Sequence, residues 1–146
     1  MNETERFYEF TGLVSRVGKA LRRAQEKYTR DFGLRSVHVS CLLRLLDAPG
    51  GLSATELSER CGVDRAQISR VSADLAARGL VCEAAPGAKR RYRGSLTLTG
   101  EGSALAREMK GIVVEKLGAI SGSLDEGKVA TFYEVFHEIA DKLEDI

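Results

Sequence analysis

Two helix starts stand eleven residues apart in the middle of this chain, and they restrict its fold more than any other feature. Ser53-Ala54-Thr55-Glu56 has the form of a capping box, in which the Ser53 hydroxyl takes the backbone N–H of Glu56 and the Glu56 side chain returns to the N–H of Ser53. Leu52 before the cap and Leu57 after it suit a hydrophobic staple, and Gly62 suits the left-handed residue that closes a helix. Asp64 then opens a second helix, with Gln67 three residues on in the position that reaches back to the cap, and Gly79 ends it after Arg78. Two short helices joined through Cys61-Gly62-Val63 have the spacing of a helix-turn-helix, whose second helix enters the major groove.

The next residues extend that unit. Leu80-Val81-Cys82-Glu83 reads as a strand, residues 84–93 as a loop bending at Pro86-Gly87, and residues 95–98 as the return strand, so the pair predicts a hairpin wing with a basic tip. Upstream, Ser36–Leu46 forms a helix that Asp47-Ala48-Pro49-Gly50-Gly51 breaks. The first helix runs from about Thr4 to Arg30. Its apolar residues Phe7, Phe10, Val14, Val17, Leu21, Ala24 and Tyr28 alternate steps of three and four, a seam expected of a helix lying lengthwise on other helices. A chain of 146 residues has trouble covering so long a seam from within, which favours packing against a second copy. Thr99 caps a long helix to about Ile120. After Ser121-Gly122-Ser123 a last helix starts near Asp125, with Val129, Phe132, Tyr133, Phe136, Ile139 and Leu143 as its apolar stripe. The expected fold is therefore mainly α with a small β-hairpin. It reads as a single domain over 1–146, with a winged helix-turn-helix lobe at 36–99 and dimerisation helices at 1–35 and 100–146.

Charge places the partner. The formal net charge is only +1, yet residues 60–95 hold eight cations against three acids, while residues 121–146 hold seven acids and two lysines. A segment so basic within a near-neutral chain points to a polyanion. Projected at 100° per residue, Ile68, Val71 and Leu75 of the second motif helix fall on one side and Ala66, Ser69, Arg70 and Ala73 opposite, with Arg65 and Gln67 flanking the first turn. Small side chains let a backbone approach base edges, and Arg and Gln make bidentate bonds to guanine and adenine. In the wing, Lys89, Arg90, Arg91 and Arg93 put four cations in five residues, a density suited to phosphates and to a narrow minor groove. Double-stranded DNA is thus the expected partner, with Arg65, Gln67, Ser69, Arg70, Lys89, Arg90, Arg91 and Arg93 as its contacts.

The order of these pieces resembles the multiple-antibiotic-resistance regulator (MarR) family of winged-helix transcription factors. The resemblance rests on residues 52–57 opening the motif, on Gly62-Val63-Asp64-Arg65-Ala66-Gln67-Ile68-Ser69-Arg70-Val71, on Leu75-Ala76-Ala77-Arg78-Gly79-Leu80-Val81, and on Ser95-Leu96-Thr97-Leu98-Thr99 followed by Gly102. It implies a homodimer on a pseudo-palindromic operator, as a repressor relieved by a small ligand or by thiol oxidation. It also implies major-groove or phosphate roles for Arg65, Gln67, Ser69 and Arg70, and a minor-groove arginine among Arg90, Arg91 and Arg93. The family commonly has an Asp just before the wing arginines; here Gly87-Ala88-Lys89 stand there, which leaves that arginine unassigned among the three.

Other functions find less support in the sequence. Two isolated histidines, no phosphate-binding glycine loop and no paired carboxylates argue against an enzyme, a metal site or a bound cofactor. The thiols Cys41, Cys61 and Cys82, with no export signal at the start of this sequence, read as reduced cysteines of a cytoplasmic protein, and no apolar run is long enough for a membrane span. Cys61 and Cys82 read as buried small hydrophobes, whereas Cys41 has His38 one turn away, a pair suited to a thiolate or to half a metal site. Arg16, Tyr28 and His38 are available as polar anchors for a small effector, although no spacing selects them. A thiol-sensing regulator of the same fold and a winged helix that binds an acidic protein are the alternatives.

Overall fold

The computed structural model describes residues 1–84 and 95–146. These divide into two compact units, Met1–Ile112 and Val113–Ile146. The first unit opens with α1 (Glu3–Thr29), which starts one residue earlier than its apolar pattern suggests because Asn2 and Glu5 form a capping box: Asn2 Oδ1 accepts from Glu5 N–H at 2.9 Å and Glu5 Oε2 from Asn2 N–H at 3.0 Å. A short 3-10 turn (Arg30–Phe32) leads into α2 (Ser36–Leu46), followed by α3 (Ala54–Cys61) and α4 (Arg65–Ala77). The antiparallel strands β1 (Val81–Glu83) and β2 (Leu96–Leu98) come next, then α5 (Gly100–Ser121), which runs on into the second unit and leads to α6 (Glu126–Glu144).

The core of the first unit gathers Val39, Cys41, Leu42 and Leu45 of α2, Leu57 of α3, and Ile68, Val71 and Leu75 of α4. Leu34, Leu52, Leu80, Val81 and, from α5, Ala106 and Met109 complete it. Val39, Leu42, Leu57, Ile68, Leu75 and Met109 are each at most 1% exposed. Burying a side chain of this kind contributes roughly 1.5–3 kcal/mol, so this cluster is what holds the two motif helices in place. Leu52 and Leu57 are both buried, as the staple requires, but Leu52 does more. Its N–H and C=O pair with Leu96 at 3.0 and 2.8 Å, joining the segment before α3 to the wing root.

Two junctions locate the wing. Thr99 Oγ1 donates to Gly79 C=O at 2.6 Å and accepts from Gly102 N–H at 3.0 Å, so one hydroxyl caps α5 and ties it to the end of α4. Gly102 itself lies against the chain entering β1; a Cβ there would land on the Leu80 carbonyl. Only glycine permits that approach.

In the second unit Asp125 caps α6, its Oδ1 accepting from Lys128 N–H at 3.0 Å. Phe132 stacks on Phe136 with ring centroids 5.2 Å apart, and Phe132, Tyr133, Phe136 and Leu143 are all exposed in the single chain. The same holds for Phe7, Val14, Val17 and Leu21 of α1, a 27-residue helix whose sole buried residue is Thr29. No helix among the described residues is long and apolar enough to cross a membrane.

Candidate nucleic-acid interface

The local geometry of the motif follows its sequence closely. Ser53 Oγ accepts from Glu56 N–H and Glu56 Oε1 from Ser53 N–H, both at 3.1 Å. At the far end of α3, Gly62 adopts φ +67° and its N–H returns to Ser58 C=O, while the Ser58 hydroxyl holds Val63 C=O. The left-handed residue turns the chain at once, and Asp64 Oδ1 takes Gln67 N–H at 2.8 Å to begin α4. Side-chain caps and one glycine thereby specify the whole turn between the helices.

On α4, Ile68, Val71 and Leu75 are buried, whereas Arg65, Ala66, Ser69, Arg70 and Ala73 are solvent-facing to differing degrees on the opposite side. Gln67 is half-buried on the flank. The helix therefore offers solvent a face of small residues carrying Ser69, Arg70 and Arg65. Among the described residues no ion pair engages Arg65 or Arg70. The wing root is regular, with Val81 opposite Leu98, Cys82 opposite Thr97 and Glu83 opposite Leu96. Lys89, Arg90, Arg91 and Arg93 lie outside the described residues.

The flank of α4 carries an arrangement that sequence reasoning missed. His38 Nε2 lies 2.7 Å from Asp74 Oδ2, Arg78 Nη2 lies 3.3 Å from the same oxygen, and Arg78 Nη1 donates to Gly33 C=O at 2.9 Å. Arg35 N–H donates to His38 Nδ1 at 3.1 Å, which makes Nδ1 the acceptor and leaves the proton on Nε2, facing the carboxylate. The hydrogen bond from His38, and after it the neighbouring Arg78, hold the Asp74 carboxyl below its ordinary value. An i,i+4 Asp–Arg pair can be read from the sequence; its partner on α2 cannot, because no spacing rule reaches across 36 residues. Arg35, His38, Gln67, Arg70, Asp74 and Arg78 line a cavity of about 410 Å³ between the start of α2 and this flank. Of the polar anchors expected for an effector, His38 lines it, while Arg16 and Tyr28 of α1 do not.

The cysteines depart from expectation. Cys82 is exposed on β1, and its Sγ lies 3.6 Å from Thr97 Oγ1 of the paired strand. Cys61 is only half-buried, because it sits in the last turn of α3. Cys41 is buried and does not pair with His38, which turns instead to Asp74; its Sγ lies 3.8 Å from that of Cys61. Among the described residues no group of three or more His, Cys, Asp or Glu side chains could hold a metal ion.

Comparison with known proteins agrees with this geometry. Residues 32–91 match the model of the family described as MarR family. The HTH-type transcriptional regulator Rv1719 of Mycobacterium tuberculosis is 38% identical over 109 residues, covering 70% of this chain; the chain spans 40% of the length of that relative. The crystal structure of a MarR family transcriptional regulator from Silicibacter pomeroyi superposes with a TM-score of 0.83 at 22% identity, over 99% of this chain and 96% of that one. The structure of CouR from Rhodococcus jostii, bound to p-coumaroyl-CoA, does so with a TM-score of 0.76 at 26% identity, over 88% and 89%.

Proposed function

We propose, since the chain belongs to the MarR family of winged-helix transcriptional regulators, that it is a sequence-specific DNA-binding repressor, acting as a homodimer on a pseudo-palindromic operator. Regulators of this family are not enzymes. The observation that carries the reading is the division of α4 into a buried face of Ile68, Val71 and Leu75 and an outward face of Ala66, Ser69, Arg70 and Ala73, on a helix fixed at its start by Asp64. A helix of small and basic side chains, held from behind by a core, suits the major groove. In this reading Arg65, Gln67, Ser69 and Arg70 contact bases or nearby phosphates, and Lys89, Arg90, Arg91 and Arg93 contact the backbone and the minor groove.

Residues 36–99 form the DNA-binding lobe, and residues 1–35 and 100–146 the dimerisation helices of a cytoplasmic protein. Exposed apolar stripes on α1 and α6 support that division, because apolar side chains repeated at helical spacing are what a second copy buries. The relieving signal is a small organic anion. Support comes from the cavity beside α4, which holds Arg35, Arg70 and Arg78 against the single acid Asp74 and whose volume suits a small molecule. CouR, of the same fold, is seen bound to p-coumaroyl-CoA, a thioester of an aromatic acid.

The test is selection of bound duplexes from a random pool, repeated with aromatic acids and their thioesters. Recovery of a two-fold-symmetric sequence, released by one of these ligands, is the expected result. Equal retention of random and selected duplexes would sink the reading.

A further inference from the structure

Arg70 and Arg78 stand one turn to either side of Asp74 on α4, and all three side chains line the same cavity. Either arginine is an i,i+4 partner for the carboxylate. An acid placed before its base is the better order on a helix, which favours Arg78, but for exposed pairs that preference is only about twofold. Left to α4 alone, Asp74 would divide between the two. The structure shows a different outcome. Asp74 Oδ2 lies 2.7 Å from His38 Nε2 and 3.3 Å from Arg78 Nη2, and among the described residues no ion pair engages Arg70.

His38 decides this because it is the rigid partner. It is 7% exposed, and its ring is anchored on the far side by Arg35 N–H, which donates to Nδ1 at 3.1 Å. That bond leaves the proton on Nε2, aimed at Asp74. A ring locked at both nitrogens has little freedom left to lose in holding the carboxylate. The arginines are long and flexible, and the Arg78 side chain is 36% exposed. Asp74 lies about 40° round the helix from Arg70, toward the buried face. His38, on α2 behind α4, holds the carboxylate on that side, away from the face that carries Ser69 and Arg70.

We infer that His38 is a positioning residue for DNA recognition: by holding Asp74 it withholds that carboxylate from Arg70, and so keeps the guanidinium free for a base edge. The inference rests on the regulator reading, in which Arg70 contacts DNA. Released from His38, Asp74 lies within one turn of an unpaired arginine and pairs with it. An arginine so engaged presents fewer donors to guanine, and the carboxylate stands nearer the phosphates. Each recognition helix of a dimer carries the effect once. A cost of about twofold per helix, the size of an exposed ion pair, thus becomes about fourfold on a two-fold-symmetric operator.

The experiment separates the two nitrogens of the ring in the full chain. His38→Asn keeps an acceptor for Arg35 N–H but does not reach Asp74; His38→Gln reaches Asp74 and gives up that acceptor. His38→Leu fills the space and does neither, and serves where the smaller asparagine weakens folding. In competition binding, His38→Asn and His38→Leu should each lower the preference for the selected over the random duplex by about fourfold. His38→Gln should recover most of that loss. Added to Asp74→Asn, neither His38→Asn nor His38→Leu should lower the preference further, because no carboxylate remains to be withheld. In the absence of DNA, the Arg70 Nε–H resonance, identified by its loss in Arg70→Lys, should move in His38→Asn and return when Asp74→Asn is added.

An unchanged preference in His38→Asn and His38→Leu, a loss that persists in the Asp74→Asn background, or an equal loss in His38→Gln would overturn the inference. So would an Arg70 resonance that stays where it is. A native chain that fails to prefer its selected duplex would instead overturn the regulator reading, with the arginine resonance still deciding whether His38 withholds Asp74.

Discussion

His38 on α2 and Asp74 on α4 meet at 2.7 Å, Nε2 to Oδ2, and so fasten the flank of the recognition helix to the start of the helix behind it. The carboxylate is the shared acceptor, since Arg78 reaches the same oxygen and also holds Gly33 C=O. Because the Asp74 carboxyl is held below its ordinary value, its folded form resists protonation more than its unfolded form does. The stability it contributes is present above about pH 4, the range of an unperturbed aspartate, and disappears as pH falls through the folded value. Urea midpoints taken from pH 6 down to pH 2 should therefore fall more steeply for the native chain than for Asp74→Asn. Parallel curves would show that the contact adds nothing to folding.

Arg70 is exposed on α4, and no ion pair among the described residues holds it. Arg70→Ala should lower the preference for operator over random duplex by about 1–3 kcal/mol, the discrimination a bidentate arginine supplies. Competition binding with both duplexes measures it. The folded stability should not change, since the side chain lies outside the core.

The wing cations should behave differently. Arg90→Ala with Arg91→Ala should weaken operator and random duplex alike, and reduce the slope of log K against log salt by roughly one for each phosphate no longer neutralised. A weakening confined to the operator would place these arginines at base edges instead.

Val17 and Leu21, 53% and 38% exposed in the single chain, lie one turn apart on the apolar stripe of α1. Val17→Glu with Leu21→Glu should convert a dimer to monomers in sedimentation equilibrium while leaving the melting of the winged-helix core largely intact. Unchanged dimer mass would move the interface elsewhere.

Gly102→Ala tests the junction behind the wing. The added methyl meets backbone at Leu80, which cannot rotate away, so destabilisation of at least about 1–3 kcal/mol is expected from overpacking. Thermal or urea unfolding reads it directly.

The helix-turn-helix was legible because its signals are local. Ser53 with Glu56, the Asp64 cap on Gln67 N–H, and Gly62 each act within one turn of chain and appear where the sequence places them, although among the described residues the Gln67 side chain does not return to Asp64 N–H. The faces of α4 were legible for the same reason, since periodicity alone separates Ile68, Val71 and Leu75 from Ser69 and Arg70. What escaped was contact at long range. Cys41 and Cys61 are 20 residues apart and His38 and Asp74 are 36 apart, on different helices, and a spacing rule that works along one helix says nothing across two. Proximity in sequence even misled, since His38 beside Cys41 on α2 suggested a pair that the packing does not make. The start of α1 at Glu3 was written in Asn2 and Glu5, and the apolar pattern, which begins later, concealed it.

The bridge between Leu52 and Leu96, together with Ala84 N–H on Ser95 C=O at 2.8 Å, anchors the wing at its root on both sides. Register is therefore set before the chain reaches residue 85 and is taken up again at residue 95, whatever is written between. Strands secured this way form an interchangeable socket: segments of other lengths or charges can be grafted between Ala84 and Ser95 without re-registering β1 on β2. Under the proposed regulator reading, operator preference at the flanks of the site can diverge through residues 85–94 alone, while the motif proposed to read its centre stays as it is.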